Sequence, residues 1–161
     1  MAYTNIDTEV MRNSAKTFMD CSTSFSDESS KINSTLSDIS VALEKVIKDF
    51  NMHNENVSGY ASALSGATES MESVWESGAA TAFQTSFDNF NKAMLNLSTS
   101  LATISGDFLK IKNDIEEVVN GNILKQTEDY AQMCGTDSEN LIKYADAEDE
   151  NQQRMANAYG G

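Results

Sequence analysis

Apolar residues recur along the chain at alternating intervals of three and four, and the longest unbroken run extends from Ala80 to Val118. Its members are Ala80, Phe83, Phe87, Phe90, Met94, Leu97, Leu101, Ile104, Phe108, Ile111, Ile115 and Val118. This alternation keeps side chains on one stripe of an α-helix, as in coiled coils. The run therefore predicts a long amphipathic helix.

The same rhythm precedes this run, from Met11 to Val74. Only three of its positions are polar, namely Ser22, Ser29 and His53. The window over residues 51–59 has poor helix propensity, yet the apolar phase continues across it. The pattern predicts one long helix over about residues 8–74, either continuous through residues 51–59 or frayed or bent there.

Two signals indicate where the second helix ends. The rhythm fails at Asn120–Asn122, and the apolar residues that follow resume out of phase. Gly135 is typical of a helix stop, and TDSE, Thr136–Glu139, has the pattern of a capping box that begins a new helix. We therefore predict the second helix over about residues 79–134, with a short C-terminal helix and a loose tail over about 137–161.

Two long helices separated by a short break predict an all-α fold, an antiparallel helical hairpin of the coiled-coil type. We place the turn at residues 75–78, within a single domain over residues 1–161. Folding about this turn pairs residues whose numbers sum to about 154. This register pairs Leu64 with Phe90 and His53 with Leu101.

The stripe on the second helix is wider than one hairpin needs, because Leu95, Ala102 and Leu109 recur every seven residues beside it. A widened stripe is typical of a helix inside a bundle of three or more helices. We therefore predict a dimer of hairpins that forms a four-helix bundle. The predicted core and dimer seam consists of Phe87, Phe90, Met94, Leu97, Leu101, Ile104 and Phe108, together with Leu95 and Leu109.

Charge and composition exclude several classes of function. The 161 residues carry a formal net charge of −14, with 11 Lys and Arg against 25 Asp and Glu. Nucleic-acid binding needs basic surface, so this charge argues against it. No run of about 20 apolar residues predicts a membrane-spanning helix. The first residues, MAYTNIDTEV, lack the basic segment and apolar core of a signal peptide.

No pattern typical of an enzyme is visible, since there is no nucleophile elbow, phosphate-binding loop or Ser, His and Asp combination. No metal site or cofactor is predicted. His53, the only histidine, falls on the stripe as a partly solvated seam residue or a pH-sensitive group. Cys21 and Cys134 fall at similar heights in the hairpin, so the spacing leaves open a disulfide or two free thiols.

The segment WESGAATAF, Trp75–Phe83, combines a tryptophan at the turn, a glycine, small residues and an aromatic residue eight positions after the tryptophan. It resembles the turn motif of the WXG100 (ESAT-6-like) family of type VII secretion substrates. The family pattern is Trp-x-Gly, whereas Gly78 stands three residues after Trp75. The resemblance implies a turn and secretion motif formed by Trp75, Gly78 and Phe83, in a chain longer than typical members.

A second segment, YADAE, resembles the C-terminal export signal of the same family, Tyr-x-x-x-[Asp/Glu]. It places Tyr144 and Glu148 four residues apart, on one face of a helix. Together the two resemblances imply a non-catalytic helical protein that a type VII system exports, into the medium or onto the cell surface. It would act there as co-substrate, chaperone-like partner or effector.

The resemblance implies three partners: a second copy, another helical protein of WXG100-like or LXG type, and the secretion ATPase. The alternative is an intracellular coiled-coil adapter that is not exported.

Overall fold

The computed structural model describes residues 6–72, Val74 and residues 78–159. In these ranges all residues except Ile6, Asp7 and Val74 are helical, and no strand is present. The helices are α1 (Thr8–Glu72), α2 (Gly78–Val118), a π-helical segment (Val119–Leu124) and α3 (Lys125–Tyr159). The chain is thus an all-α helical hairpin, which confirms the predicted fold class.

Helix α1 is one long helix, as predicted, and it is continuous through residues 51–59. It begins at an aspartate cap, because Asp7 Oδ1 accepts hydrogen bonds from the N–H groups of Glu9 (3.0 Å) and Val10 (3.2 Å). These bonds satisfy two of the N–H groups that a helix start leaves without partners. The helix ends at Glu72, slightly before the predicted position.

The predicted helix stop at Gly135 is wrong, and so is the separate short helix after it. Helix α3 passes through this position and continues to Tyr159. Contacts with α1 explain the difference: a Cβ atom on Gly135 would lie 3.5 Å from Ser22 Oγ. Ser138, only 1% exposed, donates its hydroxyl to the carbonyl of Ala15 at 2.8 Å instead of capping a helix. Packing outweighs the local stop and capping signals.

The loss of rhythm at Asn120–Asn122 is a π-helical turn and not a break. A π turn closes its hydrogen bonds over five residues instead of four. Accordingly Val119 is half-buried and Leu124 is buried, although they are five positions apart. The turn absorbs one residue, and the helix then continues as α3.

Two compact units divide the chain. Unit 1 joins Met1–Leu36 to Glu117–Gly161, and unit 2 is Ser37–Glu116. In unit 1, small residues of α1 and α3 meet at close range, and Ser22 donates its hydroxyl to the carbonyl of Ala131 at 2.7 Å. The predicted single domain stays a prediction.

In unit 2, larger side chains of α1 and α2 meet. The rings of Phe50 and Phe108 stack with centroids 5.7 Å apart. The helix pairing in both units agrees with the register predicted for a hairpin folded about residues 75–78. His53 is exposed and not packed in the seam.

Candidate functional site

In unit 2, the side of α2 that faces α1 carries one apolar row and one polar row. The apolar row is half-buried and contains four of the predicted seam residues, Phe87, Met94, Leu101 and Phe108. The polar row recurs every seven residues at Asn91, Ser98, Ser105 and Lys112, all of them half-buried or buried. The hairpin therefore packs along the polar edge of the apolar stripe and not along its centre.

Asparagines of α1 account for this choice of face. Asn51 Oδ1 accepts a hydrogen bond from the hydroxyl of Ser105 at 2.8 Å, and Asn54 Oδ1 accepts one from the hydroxyl of Ser98. Because buried polar groups need partners, these pairs hold the polar row of α2 toward α1.

Lys112 extends the polar row with an ion cluster. Its side chain is 14% exposed and lies 3.1 Å from Glu116 and 3.3 Å from Glu44. Hydrogen bonds to Glu116 and Glu44 raise the pKa of Lys112. The Ser40 hydroxyl, which donates to Glu116 at 2.6 Å, and Lys112 lower the pKa of Glu116. Both shifts favour the charged forms of Lys112 and Glu116.

Five of the predicted seam residues do not face α1. Phe90 is 55% exposed, and Leu97, Ile104, Leu95 and Leu109 are also exposed. Their assignment to the combined core and dimer seam stays a prediction, but within one chain these five residues do not pack on α1. The reason is the rotation of α2 that brings its polar row into the seam.

The exposed residues lie on two different edges of the helix pair. Leu97 and Ile104 each come four residues before a half-buried seam residue, whereas Leu95 comes one residue after Met94. At 100° per residue these offsets point to opposite edges. On α1, Ile39 and Tyr60 are exposed and precede the half-buried Leu43 and Leu64 by the same four residues.

In an antiparallel pair, equal offsets from the seam lie on the same side of both helices. We call this side of unit 2 the Leu97 face. It consists of Phe90, Leu97, Ile104 and Ile111 on α2 with Ile39 and Tyr60 on α1. All six side chains are exposed.

The predicted export motif lies on α3. Tyr144 is 67% exposed, and Glu148 is half-buried and accepts a hydrogen bond from Gln152 Nε2 at 3.3 Å. Between them Ala145 is fully buried. The motif is thus part of a packed helix.

Four bonds connect this part of α3 to the start of α1. Arg12 lies 2.8 Å from Asp146 and 2.6 Å from Asp149. Hydrogen bonds from Thr8 and from Arg12 lower the pKa of Asp149, and the bonds to Asp149 and Asp146 raise the pKa of Arg12.

The remaining bond joins the same segments near the end of α3. Gln152 Nε2 donates to the carbonyl of Ile6 at 3.1 Å. The start of α1 and the residue Ile6 before it are therefore bonded to α3 over about two turns.

Of the predicted turn motif, Trp75 lies outside the described residues. Gly78 is the first residue of α2. Phe83 is partly exposed, and its ring stacks on that of Phe87 with centroids 5.2 Å apart.

The described residues hold little other candidate chemistry. Both cysteines are free, with Cys21 exposed and Cys134 half-buried. The described part of the chain holds no group of His, Cys, Asp and Glu that could bind a metal. None of the described helices is long and apolar enough to cross a membrane.

Comparison with known families decides the relationship. The WXG100 family model, described as proteins of 100 residues with WXG, matches residues 40–120. The chain belongs to the WXG100 family. This match covers all of α2 and the turn. WXG100 proteins are helical substrates of type VII secretion and typically form helical dimers. No curated protein and no solved structure matches the chain.

Sequence reasoning missed the polar row of α2. A signal for it was present, because polar residues recur at intervals of seven at Asn91, Ser98, Ser105 and Lys112. A row of polar residues that recurs every seven residues beside an apolar row indicates that the helix packs against two neighbouring helices. One of these helices is contacted through the polar row.

Proposed function

We propose that this WXG100 protein is a non-catalytic substrate of a type VII secretion system, and that the system exports it as a dimer of helical hairpins. The observation that supports this proposal most directly is the Leu97 face, because it is an exposed apolar surface on a chain of this family. Outside the cell, in the medium or on the cell surface, the dimer would act through helix–helix contacts as co-substrate, chaperone-like partner or effector.

The Leu97 face suits a second copy of the same chain. Six side chains that each expose roughly half of about 150–200 Å² supply about 500 Å² of apolar surface. A standard interface takes about 800 Å² in total from each partner, polar rim included. Both helices contribute, so two such faces can pack into a four-helix bundle.

The opposite edge suits a partner less well. Leu95 and Leu109 are exposed there, but Lys112 and its two glutamates lie close by. Charged residues are depleted from interface cores. We therefore assign the dimer contact to the Leu97 face.

Two leucines with nearly equal exposure test this assignment. Leu97 is 47% exposed and Leu95 is 50% exposed. Leu97→Glu should convert the dimer into a monomer, because it places two charges in the core of the contact, whereas Leu95→Glu should leave the dimer intact. Light scattering of the purified proteins measures the outcome.

A wild-type monomer at every concentration would contradict the homodimer. The same monomer could instead form a complex with another helical protein of the family. If Leu97→Glu prevents that complex, the Leu97 face is the contact surface and the partner is not a second copy.

Export is tested with a matched pair of tyrosines. Tyr144 and Tyr130 are 67% and 52% exposed, and both lie on α3. In a bacterium with a type VII system, Tyr144→Ala should abolish the appearance of the protein in the medium, and Glu148→Gln should reduce it. Tyr130→Ala should leave export unchanged. The protein inside the cells is quantified in parallel.

Two further results bear on the mechanism of export. Removal of the secretion ATPase should retain all of the protein in the cells, and Trp75→Ala should reduce export while the purified protein remains helical. Wild-type protein that stays inside cells with an active system would instead support the intracellular adapter.

A further inference from the structure

The bonds between α1 and the end of α3 lie on one edge of the helix pair. On α3, the buried Ala145 marks the line that faces α1. At 100° per residue, Asp146 and Asp149 lie on one side of this line. Tyr144 and Glu148 lie on the other side. Arg12 thus holds the helix from the edge opposite to the export motif.

The end of α3 depends on these bonds to remain helical. After Ala145 its sequence is DAEDENQQRMANAY, in which nine of 14 residues are polar. Isolated helices of this length are marginal in water, and most helical stability in proteins comes from tertiary packing. Hydrogen bonds connect the turns that contain Asp146, Asp149 and Gln152 to Arg12, Thr8 and Ile6.

The charges on this edge make Arg12 difficult to replace. Within residues 146–150, four of the five residues are acidic. Neighbouring carboxylates on one helix repel one another. Arg12 is the cation that two of them contact, and it reaches them through two different nitrogens of its planar guanidinium group.

We propose that Arg12 is a positioning residue for the export motif. By bonding to Asp146 and Asp149 it keeps residues 144–152 helical and docked on α1. Tyr144 and Glu148 are then presented together on the free edge. The receptor would read a helix surface assembled from both ends of the chain, and not an extended C-terminal peptide. This inference rests on the proposed export by a type VII system.

The first test replaces Arg12 by glutamine and uses Lys16→Gln as its control. Lys16 is exposed on the next turn of α1, and its replacement removes the same charge. Arg12→Gln should speed hydrogen exchange of the amides in residues 146–158 and cause the loss of most exported protein. Lys16→Gln should change neither quantity.

A charge reversal separates positioning from a general loss of stability. Arg12→Glu should also abolish export, since it repels both aspartates. Combining it with Asp146→Arg and Asp149→Arg restores opposite charges across the two helices. The triple variant should regain slow exchange in residues 146–158 and most of the export.

The outcomes are distinguishable from those for the proposed function. If the wild type is exported and Arg12→Gln is exported equally well, the positioning role is wrong and type VII export stands. If the wild type is not exported, the proposed function fails. If the triple variant regains slow exchange but not export, the receptor needs the native side chains at positions 12, 146 or 149 themselves, and the positioning role is overturned.

Discussion

At the scale of single residues, Asn91 and Asn54 show how one residue type can have opposite effects in the same seam. Asn54 Oδ1 accepts a hydrogen bond from Ser98 across the helix pair. Asn91 Oδ1 is buried, and it has no hydrogen-bond partner among the described residues. A buried polar atom without a partner costs about 1–3 kcal/mol, whereas a satisfied one is close to neutral or favourable.

Asn91→Leu should therefore raise the free energy of unfolding by about 1 kcal/mol, because it removes the unsatisfied atom and adds apolar surface at a seam position. Asn54→Leu is the matched control and should lower that free energy by about 1 kcal/mol, since it leaves the Ser98 hydroxyl without its acceptor. Urea unfolding followed by circular dichroism measures both. Changes of the same sign in the free energy of unfolding of the two variants would contradict this account.

Acid should weaken the contact between α1 and the end of α3. Bonds from Thr8 and Arg12 lower the pKa of Asp149 in the folded protein. The stabilisation is thus fully present above the pKa of the unfolded chain, near 4, and is lost as the pH falls through the lower folded value. Exchange protection at Asp149 and beyond should fall in this range.

Asp149→Asn removes the group that titrates. In this variant, protection of the same segment should be weaker at pH 7 and should depend less on pH below about 4. A variant with the same acid sensitivity as the wild type would contradict the assignment of the pH effect to Asp149.

At the scale of helices, heptad spacing was sufficient to predict α1, α2 and their antiparallel pairing. Heptad spacing was not sufficient to predict which side of α2 packs against α1, because that side depends on hydrogen bonds to Asn51 and Asn54. It also failed at Gly135, where contacts with Ser22 override a local stop signal. Each residue type has a local preference, for example for a helix interior or a helix end. Contacts between segments distant in sequence decide which of these preferences the fold follows.

The π-helical segment provides a prediction at this scale. If the segment absorbs one extra residue, deletion of Gly121 should convert it into a regular α-helix and leave Ala131 and Ser138 facing α1. The melting temperature should change by less than about 4 °C. Gly121 has nothing within 4 Å of a Cβ position, so no packing is lost.

The control is deletion of Asn33, an exposed residue of α1. That part of α1 is regular, so the deletion should rotate one side of the helix by about 100° relative to the other. The free energy of unfolding should fall by more than about 3 kcal/mol. Equal losses for the two deletions would show that the π turn does not absorb a residue.

At the scale of the whole molecule, the net charge of −14 opposes the association of two copies. Packing of the Leu97 face must overcome this repulsion. Repulsion between exposed charges weakens with salt, because the Debye length falls from about 30 Å at 10 mM to about 8 Å at 150 mM.

The proposed homodimer should therefore become tighter as NaCl is raised from about 10 mM to about 150 mM. Sedimentation equilibrium at several salt concentrations measures the dissociation constant. The net charge is the same in Leu97→Glu and Leu95→Glu, so a difference between these variants reports on the face and not on the charge. A dimer that salt dissociates would indicate an interface held by ion pairs.

The division into two units also sets an order of events during folding. Unit 2 is one continuous stretch, whereas unit 1 joins segments separated by all of Ser37–Glu116. Contacts between residues near in sequence close small loops and form sooner than contacts between distant ones. We expect the unit next to the turn to form first and the unit that holds Arg12 and Tyr144 to form last. The export motif would then mark completed folding, and a chain still folding on the ribosome would not yet display it.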